Sequence, residues 1–279
     1  MTDPITQELA YRWKTWEQLL AEGGPIEVFP KALRALGIYG GAQGIWVDKK
    51  RTAPLTPDGS GVTVGVLHTG TAYADDLSAD GVLYHYPRTQ RPRARDLAEI
   101  QATKAAGKLG LLVFVITYSS ALSMRRDVHL GWVEGWDDDA QLFLIGFGET
   151  QPPPLRQGFE EEQPFVLVDK QAPARREMAA RPGQQRFKFL VLQRYGVRCA
   201  VCDLRVLEVL DAAHLRPKQA QGSDDPRNGL VLCAVHHRAF DAGLFAIEPQ
   251  TLRIHCRPSG PDTWALRLQY RSLEHLPRR

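Results

Sequence analysis

The feature that most restricts how this chain can fold is a set of paired soft ligands: Cys199-x-x-Cys202, then Cys233-x-x-His236. Two thiols two residues apart grip one ion from a tight knuckle, and a second pair downstream closes a tetrahedral zinc site. Such a clip holds together a module too small to be stable on its own core. Asp211, His214, Asn228 and His237 stand between and beside the pairs. Consecutive side chains on a helix point about 100° apart, so His236 and His237 do not serve one ion. The i, i+3 spacing gives Cys233 and His236 to the zinc with Cys199 and Cys202, and leaves His237 for a second metal.

Residues 207–215 are rich in aliphatic and β-branched types and read as a strand ending at His214, whereas 229–240 read as a helix with Asn228 at its mouth. The expected unit is strand, loop, helix. Residues 186–250 resemble the HNH endonuclease family, whose ββα-metal fold matches His214, Asn228 and His237. The resemblance implies that His214 is the general base activating water against a phosphodiester, a task suited to an imidazole with a pKa of about 6.5. It implies that Asn228 orients His214 or helps to hold a catalytic ion, and that His237 ligates that ion, Mg2+ or Mn2+. The implied products are a 5′-phosphate and a 3′-hydroxyl. One position departs from the pattern: many HNH enzymes carry an Asp or His ligand just before the catalytic His, and this chain has Ala213. Asp211, one pleat back on the same strand face, and Asp241, one helical turn beyond His237, are both open as the replacement or as a buttress.

The cysteines admit two other readings. A zinc ribbon that only holds a fold or docks a partner needs neither His237 nor Asn228. A disulfide framework fits poorly with four cysteines in 279 residues and no signal-like or membrane-length apolar run, a pattern expected of a soluble, reduced, cytoplasmic protein. Cys256, beside His255, is expected on a buried strand, in reserve as a zinc ligand if His236 points away.

The length leaves room for two domains: 1–150, a linker over 151–185, and 186–279. Charge separates them. Residues 183–279 hold 15 Lys or Arg against 9 Asp or Glu, and residues 1–182 hold 20 against 23. A basic C-terminal module fits a nucleic-acid partner, and the acidic runs at 134–139 and 160–162 are expected to face away from it. Pro152-Pro153-Pro154 and the polar stretch containing Pro173, Arg175, Arg176, Arg181 and Pro182 read as linker. The apolar tetrad 165–168 is expected either as a strand or packed back on the first domain. Residues 184–195 read as a helix leading into the first knuckle.

The N-terminal part begins with an expected helix over 5–21, with Leu9, Trp13, Trp16, Leu19 and Leu20 as its core stripe. Strand-like runs follow at 44–47, 62–67, 83–86, 111–116, 131–136 and 141–145, interrupted by a helix over 95–108. This order suggests an α+β fold with a mixed or open-barrel N-terminal domain.

Two loops there read as a binding surface: the glycine-rich 37–44, and 84–93, where aromatic and basic residues interleave. A solvated turn is the plainer reading of the second. The segments Gly40-Gly41-Ala42-Gln43-Gly44-Ile45-Trp46, Val64-Gly65-Val66-Leu67-His68-Thr69-Gly70 with Tyr73 and Asp76, and Tyr84-His85-Tyr86-Pro87 resemble the sulfur-binding domain of McrA-like, type IV modification-dependent restriction endonucleases. That resemblance implies recognition of phosphorothioate DNA. Tyr86 and Pro87 would form part of an apolar cavity for the sulfur, and Tyr39, Gly40, Gly41 and Gln43 would reach bases or backbone. His68, Arg88, Arg91 and Arg93 complete the implied surface. Sulfur is less strongly hydrated than oxygen, so an apolar pocket beside cationic contacts can separate them. Residues 67–86, with Gly70, Tyr73, Asp75, Asp76 and Gly81, also resemble SRA-type domains, which flip 5-methylcytosine or 5-hydroxymethylcytosine. The expectation is a type IV restriction enzyme acting on modified double-stranded DNA, with structural Zn2+, catalytic Mg2+ or Mn2+, no membrane partner, and a homodimer compatible with double-strand cutting. A zinc-containing DNA-binding protein without cleavage is the alternative class.

Overall fold

The computed structural model describes residues 3–41, 44–69, 76–120, 123–153, 155, 165–168 and 183–276. The chain divides into two compact units, Met1–Leu155 and Arg156–Arg279. Gln43, Gly70, Tyr73, Asp75, Glu160 to Glu162, and most of the expected linker lie outside the described residues.

Unit 1 opens with α1 (Pro4–Ala21) and α2 (Pro30–Ala35). Asp3 caps α1 by accepting the Thr6 N–H, and Pro4 occupies the first turn, where its missing N–H costs nothing. Then come β1 (Gly44–Val47), the single turn α3 (Lys49–Thr52), β2 (Thr63–His68), β3 (Leu77–Ser78), β4 (Gly81–His85), α4 (Arg93–Lys108), β5 (Val113–Tyr118), β6 (Arg126–Asp137) and β7 (Leu142–Phe147). The strands form one seven-stranded sheet in the order β1-β2-β5-β6-β7-β4-β3. β2 and β5 run parallel and every other pairing is antiparallel, the mixed sheet expected of this α+β class.

Side-chain alternation on the strands builds an apolar core on each face. One core joins Leu112, Phe114, Ile116, Val128 and Leu130 to Trp16 and Leu19 of α1. The other joins Val113, Val115, Phe143 and Ile145 to Ile100 and Ala106 of α4. The stripe on α1 is narrower than expected, because Leu20 lies exposed. β2 serves both cores through a register break: Trp46 pairs with Gly65 but Val47 with Thr63, so Val64 is an extra residue. Val64 and Leu67 then face one core and Val62 and Val66 the other. Arg12 of α1 is fully buried between these layers; Nε donates to Glu8 at 2.7 Å and Nη1 to the Thr63 carbonyl at 2.9 Å.

Unit 2 begins with α5 (Gln184–Tyr195), followed by β8 (Leu210–His214), β9 (Gly229–Cys233), α6 (Ala234–Asp241), β10 (Phe245–Ile247) and β11 (Ile254–Cys256). The expected helix over 229–240 is corrected here: its first five residues form β9, paired antiparallel with β8 from Leu210↔Cys233 to His214↔Gly229, and only the remainder is helical. The expected strand from 207 likewise starts at Leu210, after a short 3-10 turn. The unit is therefore strand, loop, strand, helix. α5 lies close against the hairpin, since a Cβ on Gly229 would fall 2.3 Å from Val191 Cγ2. The tetrad at 165–168 joins unit 2, with Val168 bridging Gly222 and the Leu167 carbonyl accepting the Ser223 N–H at 3.1 Å. Cys256 pairs with Phe245 in the β10–β11 hairpin. Among the described residues no helix is long and apolar enough to cross a membrane.

Candidate active site

The four soft donors of unit 2 converge. Cys199 Sγ, Cys202 Sγ, Cys233 Sγ and a ring nitrogen of His236 lie within 4.8 Å of one another. Individual separations are 4.0 Å for Cys202 Sγ to Cys233 Sγ, and 3.7 and 3.0 Å from His236 Nδ1 to the sulfurs of Cys199 and Cys233. Four tetrahedral ligands with zinc–sulfur bonds of about 2.3 Å are spaced by a little under about 4 Å, so the donor set fits that ion. His236 Nε2 donates to the Leu266 carbonyl at 2.8 Å, which leaves Nδ1 as the lone pair for a metal. Burial first, and then the neighbouring thiols, push the Cys202 thiol up to about 12. A thiolate at Cys202 is therefore favoured by a cation beside it. Cys256 stands outside this group.

His237, the next residue on α6, points elsewhere. Its Nδ1 lies 3.3 Å from Asp211 Oδ2 on β8, and its Nε2 lies 3.5 Å from Asp241 Oδ2 one turn on. The Asp211 hydrogen bond, outweighing burial, raises the His237 pKa above its ordinary value, and the same bond holds Asp211 below the usual carboxylate range. Both acids left open for the Ala213 departure thus flank one imidazole. Ala213 itself is buried.

His214 ends β8 with its ring stacked on Phe187 of α5, centroids 3.8 Å apart and planes 9° from parallel. Its Nε2 meets Asp224 Oδ1 at 3.0 Å, and Asp224 Oδ2 pairs with Lys218 at 2.6 Å. Burial raises the Asp224 pKa, but the bonds from His214 and Lys218 prevail and hold it below the ordinary carboxylate value. Asp224 and Phe187 were not singled out from sequence as site residues. Asp224 sits in an aperiodic loop, where no spacing rule shows a partner.

Asn228 is the site residue whose expected role changes. It is fully buried; its Oδ1 accepts the Arg216 N–H at 2.9 Å, and Nδ2 donates to the carbonyls of Arg216 at 3.1 Å and Ser223 at 2.9 Å. A carboxamide with its donors and acceptor spent on the backbone pins the 215–228 loop and is not available to an ion or to His214.

In unit 1 the implied DNA-reading residues scatter in environment. Tyr86 is buried against Phe143, ring centroids 4.5 Å apart, and its hydroxyl donates to Asp138. Its ring belongs to the core on the α4 face of the sheet. Tyr39 is also buried, donating to the Gly44 carbonyl, and Gly40 is turned onto the Trp46 indole. Arg91 is spent on Glu99 and Asp96, with bonds of 2.8 and 2.9 Å, in a knot at the start of α4. His68 is buried at the end of β2. Pro87 is half-buried; Arg88 is exposed, bonded to Gln141; Arg93 is exposed. Asp76 is buried, with its Oδ2 2.5 Å from His85 Nε2.

A two-stranded hairpin followed by a helix, with a zinc-type clip and an imidazole set between carboxylates, defines a ββα-metal nuclease module. Residues 199–248 match the family model described as "HNH endonuclease". Unit 2 thus carries an HNH endonuclease domain, and the chain is a DNA endonuclease, a hydrolase. A solved structure titled "Modification dependent TagI restriction endonuclease" is similar at 19% identity and a TM-score of 0.33, covering 89% of this chain and 86% of its own. A likeness that distant bears on neither fold nor function. No curated protein matches the chain.

Proposed function

We propose that the chain is a modification-dependent DNA endonuclease in which residues 1–150 read a chemical mark on duplex DNA and residues 186–279 hydrolyse the backbone, joined by a linker over 151–185. The observation that carries the cutting half is His237 between Asp211 and Asp241, on the same hairpin and helix that present His214. Nitrogen and carboxylate donors of this kind suit Mg2+ or Mn2+. Such a cation, when bound, stabilises charge on the scissile phosphate and the leaving oxygen.

His214 acts as the base. Its ring nitrogen takes a proton from water as the water oxygen bonds to phosphorus; the bond from phosphorus to the 3′ oxygen breaks, and that oxygen leaves as a hydroxyl after taking a proton from solvent. His237 through Nδ1 and Asp211 beside it would hold the cation, Asp241 on Nε2 would buttress the ring, and Cys199, Cys202, Cys233 and His236 would hold a structural zinc. Cutting both strands takes two active sites or two binding events, and a homodimer acting in a bacterial cytoplasm supplies the first.

The mark follows the sulfur-binding resemblance: a phosphorothioate. With Tyr86 and Arg91 committed inside unit 1, the contact falls to Pro87, Arg88 and Arg93. The buried Asp76–His85 pair favours a second reading, a flipped 5-methylcytosine, because an enclosed carboxylate can accept from the exocyclic amine of cytosine. Full-length His214→Ala, which binds without cutting, separates them on matched duplexes bearing phosphorothioate, 5-methylcytosine, 5-hydroxymethylcytosine or no mark. Tighter binding to the phosphorothioate duplex is expected, and equal affinity for all four overturns the reader. In the companion assay wild type with Mn2+ cuts marked plasmid, and undiminished cutting by His214→Ala overturns the assignment of the base.

A further inference from the structure

We infer that Asp224 is the positioning partner of His214, a carboxylate that fixes the tautomer and tilt of the imidazole; this rests on the reading of His214 as the base. The imidazole is held on two sides. Phe187 covers one face at 3.8 Å, and Asp224 Oδ1 takes the Nε2 edge at 3.0 Å. An acidic partner on Nε2 places the ring proton there and leaves the lone pair on Nδ1, which makes no hydrogen bond among the described residues. That is the tautomer a base needs.

Asp224 is not a casual surface ion pair, because the loop that carries it is held rigid. Asn228 ties the backbone at Arg216 to that at Ser223, the residue before Asp224. Gly222 crosses so close to the Arg216 carbonyl oxygen that a Cβ there would sit 1.8 Å from it. Lys218 holds the second carboxylate oxygen at 2.6 Å, so Oδ1 is aimed at the imidazole. As Nδ1 gains the water proton, the imidazolium charge forms beside a carboxylate already in place. The charged or titratable groups on β8 and on the elements packed against it are Asp211; Arg186, Lys188 and Arg194 of α5; His237, Arg238 and Asp241 of α6; and Arg216, Lys218, Asp224, Asp225 and Arg227 of the loop. Asp224 is the one whose carboxylate reaches the His214 ring, at 3.0 Å.

The test uses the full chain and Mn2+-driven cleavage of phosphorothioate-bearing plasmid. Asp224→Asn is expected to lower kcat about 10- to 100-fold with KM and half-saturating Mn2+ unchanged, a smaller loss than the roughly 10²- to 10⁴-fold for His214→Ala. Asp224→Glu should recover part of kcat, and Lys218→Ala should cost less than Asp224→Asn. Wild-type kcat in Asp224→Asn, while His214→Ala is inactive, overturns the pairing and spares the base. Activity in His214→Ala overturns the base itself. If Asp224→Asn unfolds early, Lys218→Ala decides: unchanged kcat defeats the proposal.

Discussion

The two units reach stability by different routes. Unit 1 sandwiches a seven-stranded sheet between two apolar cores, so its strands are fixed by side chains from both faces. Unit 2 has two-stranded sheets and short helices, and it gathers its chain around four soft donors. A hairpin alone is marginal in water. The contrast shows where chemistry can be placed: the well-packed unit uses its buried polar groups to hold backbone, whereas the stapled unit leaves imidazoles at its surface.

The largest expected break in this contrast is loss of zinc. Chelation, or Cys233→Ser, should unfold unit 2 and leave the unit 1 transition in place, because structural zinc binding contributes on the order of 10 kcal/mol to such modules. Calorimetry with metal analysis reads both. Next is Arg12→Ala, which leaves Glu8 only its longer contact with Arg51 at 3.5 Å and removes the donor to the Thr63 carbonyl, and should cost unit 1 about 3 kcal/mol in urea unfolding. Asn228→Ala should destabilise unit 2 by about 3 kcal/mol, since three backbone groups of the loop lose their partner.

Much of this architecture was legible in the sequence, and the misses share a cause. The strands of unit 1 are apolar runs set between turn residues, which mark them although β2, β4, β5 and β7 are buried at nearly every position, whereas β9 runs into α6 with no turn between; α5 has the bounds its amphipathic period gives it. β9 was misread because Gly229-Leu230-Val231-Leu232-Cys233 is apolar throughout. It is buried at every position, so no alternation distinguishes it from a buried helix. The zinc ligands were readable from spacing. The Arg88 to Arg95 run showed its charge but not its pairing, which depends on where Glu99 and Asp96 fall once α4 forms. Asp224 was invisible for the same reason: its partner is reached across a loop.

Two smaller effects sharpen the comparison. A cation must displace the proton on His237, whose pKa is raised chiefly by Asp211. Apparent Mn2+ affinity should therefore rise as pH climbs to that raised value and flatten above it, and Asp211→Asn should move the break to lower pH. Isothermal titration over a pH series reads the shift. The least effect is expected from Arg91→Ala, which should change the salt dependence of DNA binding by less than one counterion because its charge is spent on Glu99 and Asp96. A fluorescence-anisotropy salt series with Arg88→Ala as the reference checks it.

The extra residue at Val64 carries a consequence for how this chain can vary. Because Val64 is in excess there, deleting it would leave Thr63 and Gly65 paired with Val47 and Trp46 as regular neighbours and keep Val66 and Leu67 on their present faces, whereas one residue added between Gly65 and Val66 would send Val66 toward α1 and Leu67 toward α4, exchanging the linings of two compartments at once. Single-residue insertions at that point should be purged from any library selected for folding, whereas loss of Val64 should survive at the cost of its own packing.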